Sequence, residues 1–104
     1  MPSVRYEILL PLHYNDGTPI EDERFQQTWT ELVERFGAVT IEPQSLQGIW
    51  TQQVERYEDE LKRLIVDVAD TPATKRFFES YKETLKQRFS QVDIWIAAYP
   101  VRII

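Results

Sequence analysis

Apolar and polar residues alternate in several stretches of the chain, which is the pattern of a half-buried β-strand. Residues 3–10 show it first, and residues 57–68 and 92–101 show it again. The interval 57–64 also contains good helix formers, so a helix competes with a strand there. The β-branched residues within 65–68 favour a strand for at least the second half of that segment.

A further strand starts at residues 38–41, and Pro43 interrupts its pattern. Proline lacks the backbone N–H that a sheet needs, so it favours an edge strand or a bulge. We expect pairing to resume around residues 46–51, and the segment 52–56 then makes the turn into the long strand.

Two segments show the 3.6-residue period of amphipathic helices. The first is predicted over residues 22–36 and ends at Gly37, a natural C-terminal cap. The second begins with Thr71 as N-cap and Pro72 at the first helical position. Trp29 lies in the middle of the first stripe, so we expect it to be buried. The two apolar stripes are Phe25, Trp29, Leu32, Val33 and Phe36, and Phe77, Phe78, Tyr81, Leu85 and Phe89.

The order strand, helix, strand, strand, helix, strand is the split βαβ or ferredoxin-like arrangement. It predicts an α+β fold, a βαββαβ sandwich with a four-stranded antiparallel sheet and both helices on one face. The expected spatial order is fourth, first, third, second strand, in one domain covering residues 1–104. This fold hosts many unrelated functions and does not identify one. The strand residues expected to face the helices are Tyr6, Ile8, Leu10, Leu64, Val66, Val68, Val92, Ile94 and Ile96.

The opposite face of the predicted sheet mixes apolar residues with charges of both signs. An uncovered apolar patch usually marks a partner surface, and we expect a homodimer with Trp95 near its centre. The charges could pair within one sheet or across a two-fold axis. The alternative is a monomer in which long side chains such as Arg63 fold over the apolar residues. By alternation this face carries the apolar residues Leu9, Leu61, Ile65, Trp95, Ala97 and Tyr99 beside the charged residues Arg5, Glu7, Arg63, Asp67 and Asp93.

Composition narrows the classes of partner. The formal net charge is −5, and this acidity opposes nucleic-acid binding through phosphates. Glu79 and Glu83 interleave with the basic residues of the second helix, which predicts a solvated face of paired charges. The chain has no cysteine, no signal-peptide pattern at its start and no apolar run long enough for a membrane span, so we expect a cytoplasmic protein. The basic residues of the second helix are Lys75, Arg76, Lys82, Lys86 and Arg88.

Candidate catalytic chemistry is sparse. His13, the only histidine, lies after the first strand beside Tyr14. These two are weak catalytic candidates, with His13 as a general base or ligand at the mouth of a cleft, and we favour the alternative that they are ordinary loop residues. A metal site would need companions for His13, and the carboxylates of residues 58–60 alternate faces in a strand, so no metal is expected. The glycines are isolated, so no phosphate-cradling loop and no cofactor are predicted.

Four short pieces of the chain carry a resemblance: residues 6–12, residues 34–37, Gly48-Ile49-Trp50 and residues 57–60. Through them the chain resembles small bacterial proteins of unassigned function with a ferredoxin-like pattern. At the level of the fold it is also similar to the dimeric α+β barrel proteins, in which two such sheets pack open face to open face. That resemblance implies self-association and, for some members, cofactor-independent monooxygenase activity or ligand binding.

These observations predict a small, non-catalytic cytoplasmic module that self-associates and binds a small ligand or a protein partner. The alternative is a cofactor-independent enzyme of the dimeric α+β barrel type, with His13, Tyr14 and sheet-face residues around an internal pocket. Geometry separates the two, because an enzyme needs a concave pocket in which a titratable group meets other polar groups. A flat or filled interface favours the binding module.

Overall fold

A computed structural model describes residues 2–42 and 44–104 of the chain. Within them the chain forms two helices and five strands, and every strand pair is antiparallel. The predicted α+β class is therefore confirmed. In chain order the elements are β1 (Ser3–Pro11), α1 (Asp22–Phe36), β2 (Thr40–Ile41), β3 (Leu46–Gln52), β4 (Glu55–Ala69), α2 (Pro72–Arg88) and β5 (Trp95–Val101).

The strands form one sheet in the order β2, β4, β1, β5, and β3 continues the edge that β2 begins by pairing with the earlier part of β4. This is the predicted spatial order, but the predicted count of four strands is wrong because the second strand is divided. The register explains the division. Ile41 lies opposite Leu64 and Leu46 opposite Leu61, so the two paired segments are five positions apart on this edge and only three positions apart on β4. Such unequal spacing is that of a β-bulge, and the Glu42 N–H still donates to the Arg63 carbonyl at 3.1 Å. The predicted interruption at Pro43 itself lies outside the described residues.

β4 is a strand over its whole length, so the competing prediction of a helix at 57–64 is wrong. The turn before it is shorter than the predicted 52–56, because Gln53 and Val54 alone connect β3 to β4 and Gln53 adopts a φ of 58°. β1 stops pairing with β4 at Leu61, so residues 46–60 extend as a two-stranded β3–β4 ribbon. The molecule accordingly measures 44 Å in its longest direction and 25 Å in its shortest.

The helix termini follow the predicted signals. α1 has the predicted bounds, and Gly37 closes it with a left-handed φ of 87° while its N–H donates to the Val33 carbonyl at 2.7 Å. The Thr71 hydroxyl caps α2 by accepting a hydrogen bond from the Thr74 N–H at 3.1 Å. Within the described chain, neither helix combines the length and the apolar composition that a bilayer span needs.

Both helices pack against the same face of the sheet and share one core. Tyr6 of β1 stacks on Phe78 of α2 with ring centroids 3.8 Å apart, and Phe25 of α1 contacts Phe89 at 5.2 Å. The predicted strand residues that are buried in this core are Tyr6, Ile8, Leu10, Leu64, Val66 and Ile94.

Two predictions for the stripe of α1 are wrong. Val33 is 43% exposed, because the helix is rotated so that Phe25, Thr28 and Leu32 face the core. Trp29 is half-buried rather than buried, because it lines a cleft at the side of the helix.

The start of the last strand is also predicted too early. β5 begins at Trp95, not at residue 92, and Val92 is 85% exposed rather than part of the core. Asp93 likewise lies before the strand and pairs with Lys82 of α2 at 3.1 Å, so its predicted place on the open sheet face is wrong. Ser90 takes a positive φ of 54° after α2, so the chain turns there before it can join the sheet.

Candidate functional site

The helices leave one face of the sheet uncovered in the described chain, and we call it the open face. The register sets its residues in rows, with Leu9 between Trp95 and Arg63, and Glu7 next to Ile65. The four residues predicted for an interface are therefore brought to one face. Its members are Arg5, Glu7, Leu9, Leu61, Arg63, Ile65, Asp67, Trp95, Ala97 and Tyr99.

The charged residues of the open face pair within the sheet. Arg5 donates two hydrogen bonds to the Asp67 carboxylate, at 2.7 and 3.0 Å. Arg63 donates to Glu42 at 2.7 Å and lies 3.6 Å from Glu7. Within one chain these charges pair inside the sheet, which is one of the two arrangements that the sequence allows.

These contacts stabilise the charged forms of the groups involved. The hydrogen bonds from Arg5 hold the pKa of Asp67 below its ordinary value although partial burial opposes them. The same contact raises the pKa of Arg5, and the hydrogen bond to Glu42 raises that of Arg63. On the open face Arg5 therefore pairs with Asp67, and Arg63 is shared by the two carboxylates of Glu42 and Glu7.

The apolar side chains of the open face remain accessible beside these pairs. Trp95 is 54% exposed and Tyr99 is 38% exposed, while Leu9 and Ile65 are half-buried. The Tyr99 hydroxyl donates to Glu7 at 2.9 Å. Trp95 thus exposes about half of its surface to solvent beside charged residues that are already paired.

His13 and Tyr14 both follow β1 but have different surroundings. His13 lines a cleft, whereas the Tyr14 hydroxyl donates to the Glu21 carboxylate and Tyr14 does not line that cleft. This hydrogen bond raises the pKa of Tyr14 and lowers the pKa of Glu21. The structure therefore does not bring the two catalytic candidates together around one pocket.

The cleft beside His13 has a volume of about 480 Å³ and lies on the helix side of the sheet, at the start of α1. We call it the α1 cleft. Its lining residues are Leu12, His13, Pro19, Ile20, Asp22, Phe25, Gln26, Trp29 and Lys62.

A second cleft, of about 450 Å³, lies at the base of the β3–β4 ribbon and is strongly acidic. Burial raises the pKa of Asp59 there, and the nearby His13 opposes that shift. In the described part of the chain, no three His, Asp or Glu side chains are grouped to hold a metal ion. The lining residues of this cleft are Ser45, Leu46, Gln47, Glu58, Asp59 and Glu60.

A polar network joins the two helices, and no pattern in the sequence analysis predicts it. Arg88 is only 7% exposed and donates to both carboxylate oxygens of Glu31, at 2.8 and 2.9 Å. Tyr81 donates to the same carboxylate at 2.8 Å, and Arg88 also donates to the Thr28 hydroxyl at 2.9 Å. The prediction that Arg88 lies on a solvated face is wrong. The sequence does carry one signal for the burial of Arg88. Arg88 lies three residues after Leu85, which places it on the side of α2 that carries the apolar stripe.

Comparisons with known proteins identify the fold. No protein-family model matches the chain, and neither does any curated protein compared with it. CutA1 from Oryza sativa matches with a TM-score of 0.67 and 12% identity, over 99% of this chain and 83% of that one. The divalent cation tolerance protein CutA1 of Thermus thermophilus matches with a TM-score of 0.66 and 22% identity, over 97% and 85%. A phage SAM lyase in complex with S-methyl-5'-thioadenosine matches with a TM-score of 0.67 and 13% identity, over 97% and 90%.

At these identities the matches show a shared ferredoxin-like α+β fold and nothing about activity. The resemblances to small bacterial proteins and to dimeric α+β barrels stay predictions.

Proposed function

We propose that this protein is a small, non-catalytic cytoplasmic module that forms a homodimer by packing its open face against the open face of a second copy. In this proposal Leu9, Ile65, Trp95 and Tyr99 lie in the interface, with Trp95 near its centre. The observation that carries it is the 54% exposure of Trp95 on a sheet face that the two helices leave uncovered.

The exposed part of Trp95 is a large favourable surface for association. Aromatic side chains bury about 150–250 Å² each. Covering the exposed half of Trp95 therefore removes roughly 100 Å² from water and contributes about 2–3 kcal/mol per copy. A two-fold axis doubles the effect, because it brings the same patch of both copies together.

The ion pairs of the open face are compatible with such a contact. Arg5 is already matched by Asp67, and Arg63 by Glu42, within each sheet. Association of two identical faces then leaves each arginine with a carboxylate partner, and Glu7 keeps its contacts with Arg63 and the Tyr99 hydroxyl. The strongly unfavourable case, a buried charge without a partner, is avoided. Removing water from the pairs still costs free energy, so we expect them at the rim of the interface with the apolar residues inside.

The size of the open face sets the expected affinity. Four neighbouring strands span about 19 Å and a strand of seven residues, such as β5, about 24 Å, a projected area of roughly 450 Å². The accessible area of such a face exceeds its projection, and a standard interface buries about 800 Å² per partner. A face near or below this size belongs to the weaker, reversible class of interface, so we expect association at micromolar protein concentrations.

The enzymatic alternative gains no support from these contacts. The polar groups of the open face are engaged in pairs, and His13 lies in a cleft on the helix side of the sheet. Two sheets packed face to face would therefore not enclose His13 in an internal pocket.

Sedimentation velocity over a series of protein concentrations from about 1 μM to about 300 μM tests the proposal. The unmodified protein should shift from monomer to dimer within this range, and Trp95→Glu should stay monomeric with an unchanged circular dichroism spectrum. Val54→Glu is the matched control, because Val54 is 98% exposed at the tip of the β3–β4 ribbon and should leave the dimer intact.

Two outcomes would contradict the proposal. The first is an unmodified protein that stays monomeric at the highest concentration. The second is a dimer that survives Trp95→Glu. If that dimer is lost in Val54→Glu, the interface lies instead on the ribbon around Gly48 and Trp50.

A further inference from the structure

The α1 cleft lies on the opposite side of the sheet from the open face, so its chemistry is independent of dimer formation. Its volume of about 480 Å³ falls within the range of small-molecule sites. Ile20 and Phe25 are buried and form an apolar floor, and Leu12 and Trp29 are half-buried beside them. The cleft therefore offers a concave apolar surface that is partly shielded from water.

Lys62 places a positive charge over this apolar surface. Its ammonium lies 5.9 Å from the ring centroid of Phe25 and 6.0 Å from that of Trp29. The next residue, Arg63, contacts two carboxylates, whereas Lys62 has no ion-pair partner among the described residues. An ammonium that lies beside aromatic rings and has no ion-pair partner can donate charge-assisted hydrogen bonds to an anionic group of a ligand.

Two other polar side chains complete the lining. His13 is exposed and makes no side-chain hydrogen bond within the described chain, although Asp59 of the acidic cleft is near enough to interact with it electrostatically. Its ring carries an N–H donor in either protonation state. Asp22, in the first turn of α1, has no ion pair among the described residues and places one negative charge at the cleft. The cleft thus combines two donors for an anion, one acceptor for a cation and an apolar floor.

We infer that the α1 cleft binds a small molecule with a carboxylate and an apolar or aromatic body. Lys62 and His13 bind the carboxylate, and the apolar body covers Phe25 and Trp29. A ligand amino group would lie near Asp22, so an apolar α-amino acid and the corresponding acid without the amino group share the same recognition chemistry.

The competing explanation is that Lys62 only shields the two rings with its methylene chain. Lys62→Met separates the two, because methionine keeps an apolar chain over the rings and removes the charge. Lys75→Met is the matched control, since Lys75 is an exposed lysine on α2 without an ion pair in the described chain.

The test is an NMR titration of the ¹⁵N-labelled full chain with 3-phenylpropionate, L-phenylalanine and 2-phenylethylamine. We expect 3-phenylpropionate or L-phenylalanine to shift the Gln26 amide and the Trp29 indole N–H signals. The relative affinity of these two probes identifies simple acids or amino acids as the ligand class. Lys62→Met should weaken binding of the better probe by about tenfold or more, the loss expected for one charge-assisted hydrogen bond. Lys75→Met should bind as the unmodified protein does.

The inference is overturned if neither carboxylate shifts these signals at about 10 mM, well above the weakest ordinary dissociation constants. It is also overturned if 2-phenylethylamine binds as tightly as the carboxylates, or if Lys62→Met binds with unchanged affinity. Trp95→Glu should bind the probe normally, so a failure of the dimer and a failure of this site are distinguishable.

Discussion

Replacing Glu31 with alanine should destabilise the fold far more than its partly exposed position suggests. Glu31 is the only carboxylate that contacts Arg88 in the described chain, and Arg88 is 7% exposed. After Glu31→Ala the guanidinium keeps its hydrogen bond to the Thr28 hydroxyl but loses both bonds to the carboxylate. Tyr81 loses one of its two acceptors and keeps the Thr28 carbonyl at 3.2 Å.

The expected cost follows from these contacts. Removing one partner of a fully buried ion pair costs about 3–5 kcal/mol. Glu31 is 37% exposed, so water can reach part of the site and replace some of the lost hydrogen bonding. We therefore expect Glu31→Ala to lower the free energy of unfolding by about 2–3 kcal/mol, less than the loss of one partner from a fully buried pair.

Urea denaturation followed by circular dichroism measures this cost. Glu58→Ala is the matched control, because Glu58 binds Arg56 at 2.9 Å while both side chains are more than half exposed. Such a pair contributes little to stability, so the control should unfold near the midpoint of the unmodified protein. An equal loss in the two variants would refute the reasoning.

The Glu31–Arg88 pair also predicts how the stability of the fold depends on pH. Burial raises the pKa of Glu31, but the hydrogen bonds from Arg88 and Tyr81 outweigh it and leave the pKa below its ordinary value. A lowered folded-state pKa gives stability that is present above the unfolded pKa of about 4.3 and is lost as the pH falls through the folded value. The difference between Glu31→Ala and the unmodified protein should therefore narrow below about pH 4. A difference that stays constant down to about pH 2 would contradict the assigned role of the carboxylate.

Two smaller predictions concern the helix ends, and denaturant midpoints check both. Thr71→Ala should cost about 1 kcal/mol because the Thr74 N–H loses its acceptor, and Thr71→Ser should restore most of it. An equal loss of stability in both variants would contradict the role of the Thr71 hydroxyl as the N-cap of α2. Gly37→Ala should cost about 1–2 kcal/mol, since φ is 87° and no atom within 4 Å would contact the new methyl, so the cost is conformational alone. Gly37→Asn should cost less, and an unchanged midpoint for Gly37→Ala would show that the left-handed conformation is not required.

Features set by local chemistry were predictable from the sequence. The alternation of residues 3–10 predicted β1, and the signals at Gly37, Thr71 and Pro72 predicted the helix termini. Such signals act over a few residues, so no knowledge of the rest of the chain is needed. Alternation also placed Trp95 and the other apolar residues on one face, which is a consequence of the two-residue period alone.

Features that depend on distant contacts were not predictable in the same way. An apolar helix stripe is broad, so its pattern cannot tell whether Thr28 or Val33 lies at the buried edge. The pair of Glu31 with Arg88 joins residues 57 positions apart and requires the helices to be docked. The division of the second strand likewise depends on its register against β4, which no single segment encodes.

The central claim is that two open faces meet around Trp95, and a distance across the dimer tests it most directly. The chain has no cysteine, so a single introduced cysteine carries a unique spin label. Ala97→Cys labels the open face, and Glu79→Cys labels the exposed side of α2. Facing sheets lie about 10 Å apart, so labels at position 97 should be closer than roughly 25 Å. Labels at position 79 should be farther than roughly 40 Å, because each helix layer adds about 10 Å. Two results would contradict the account. One is a shorter distance between labels at position 79 than between labels at position 97. The other is no dipolar coupling at position 97 under conditions where the protein sediments as a dimer.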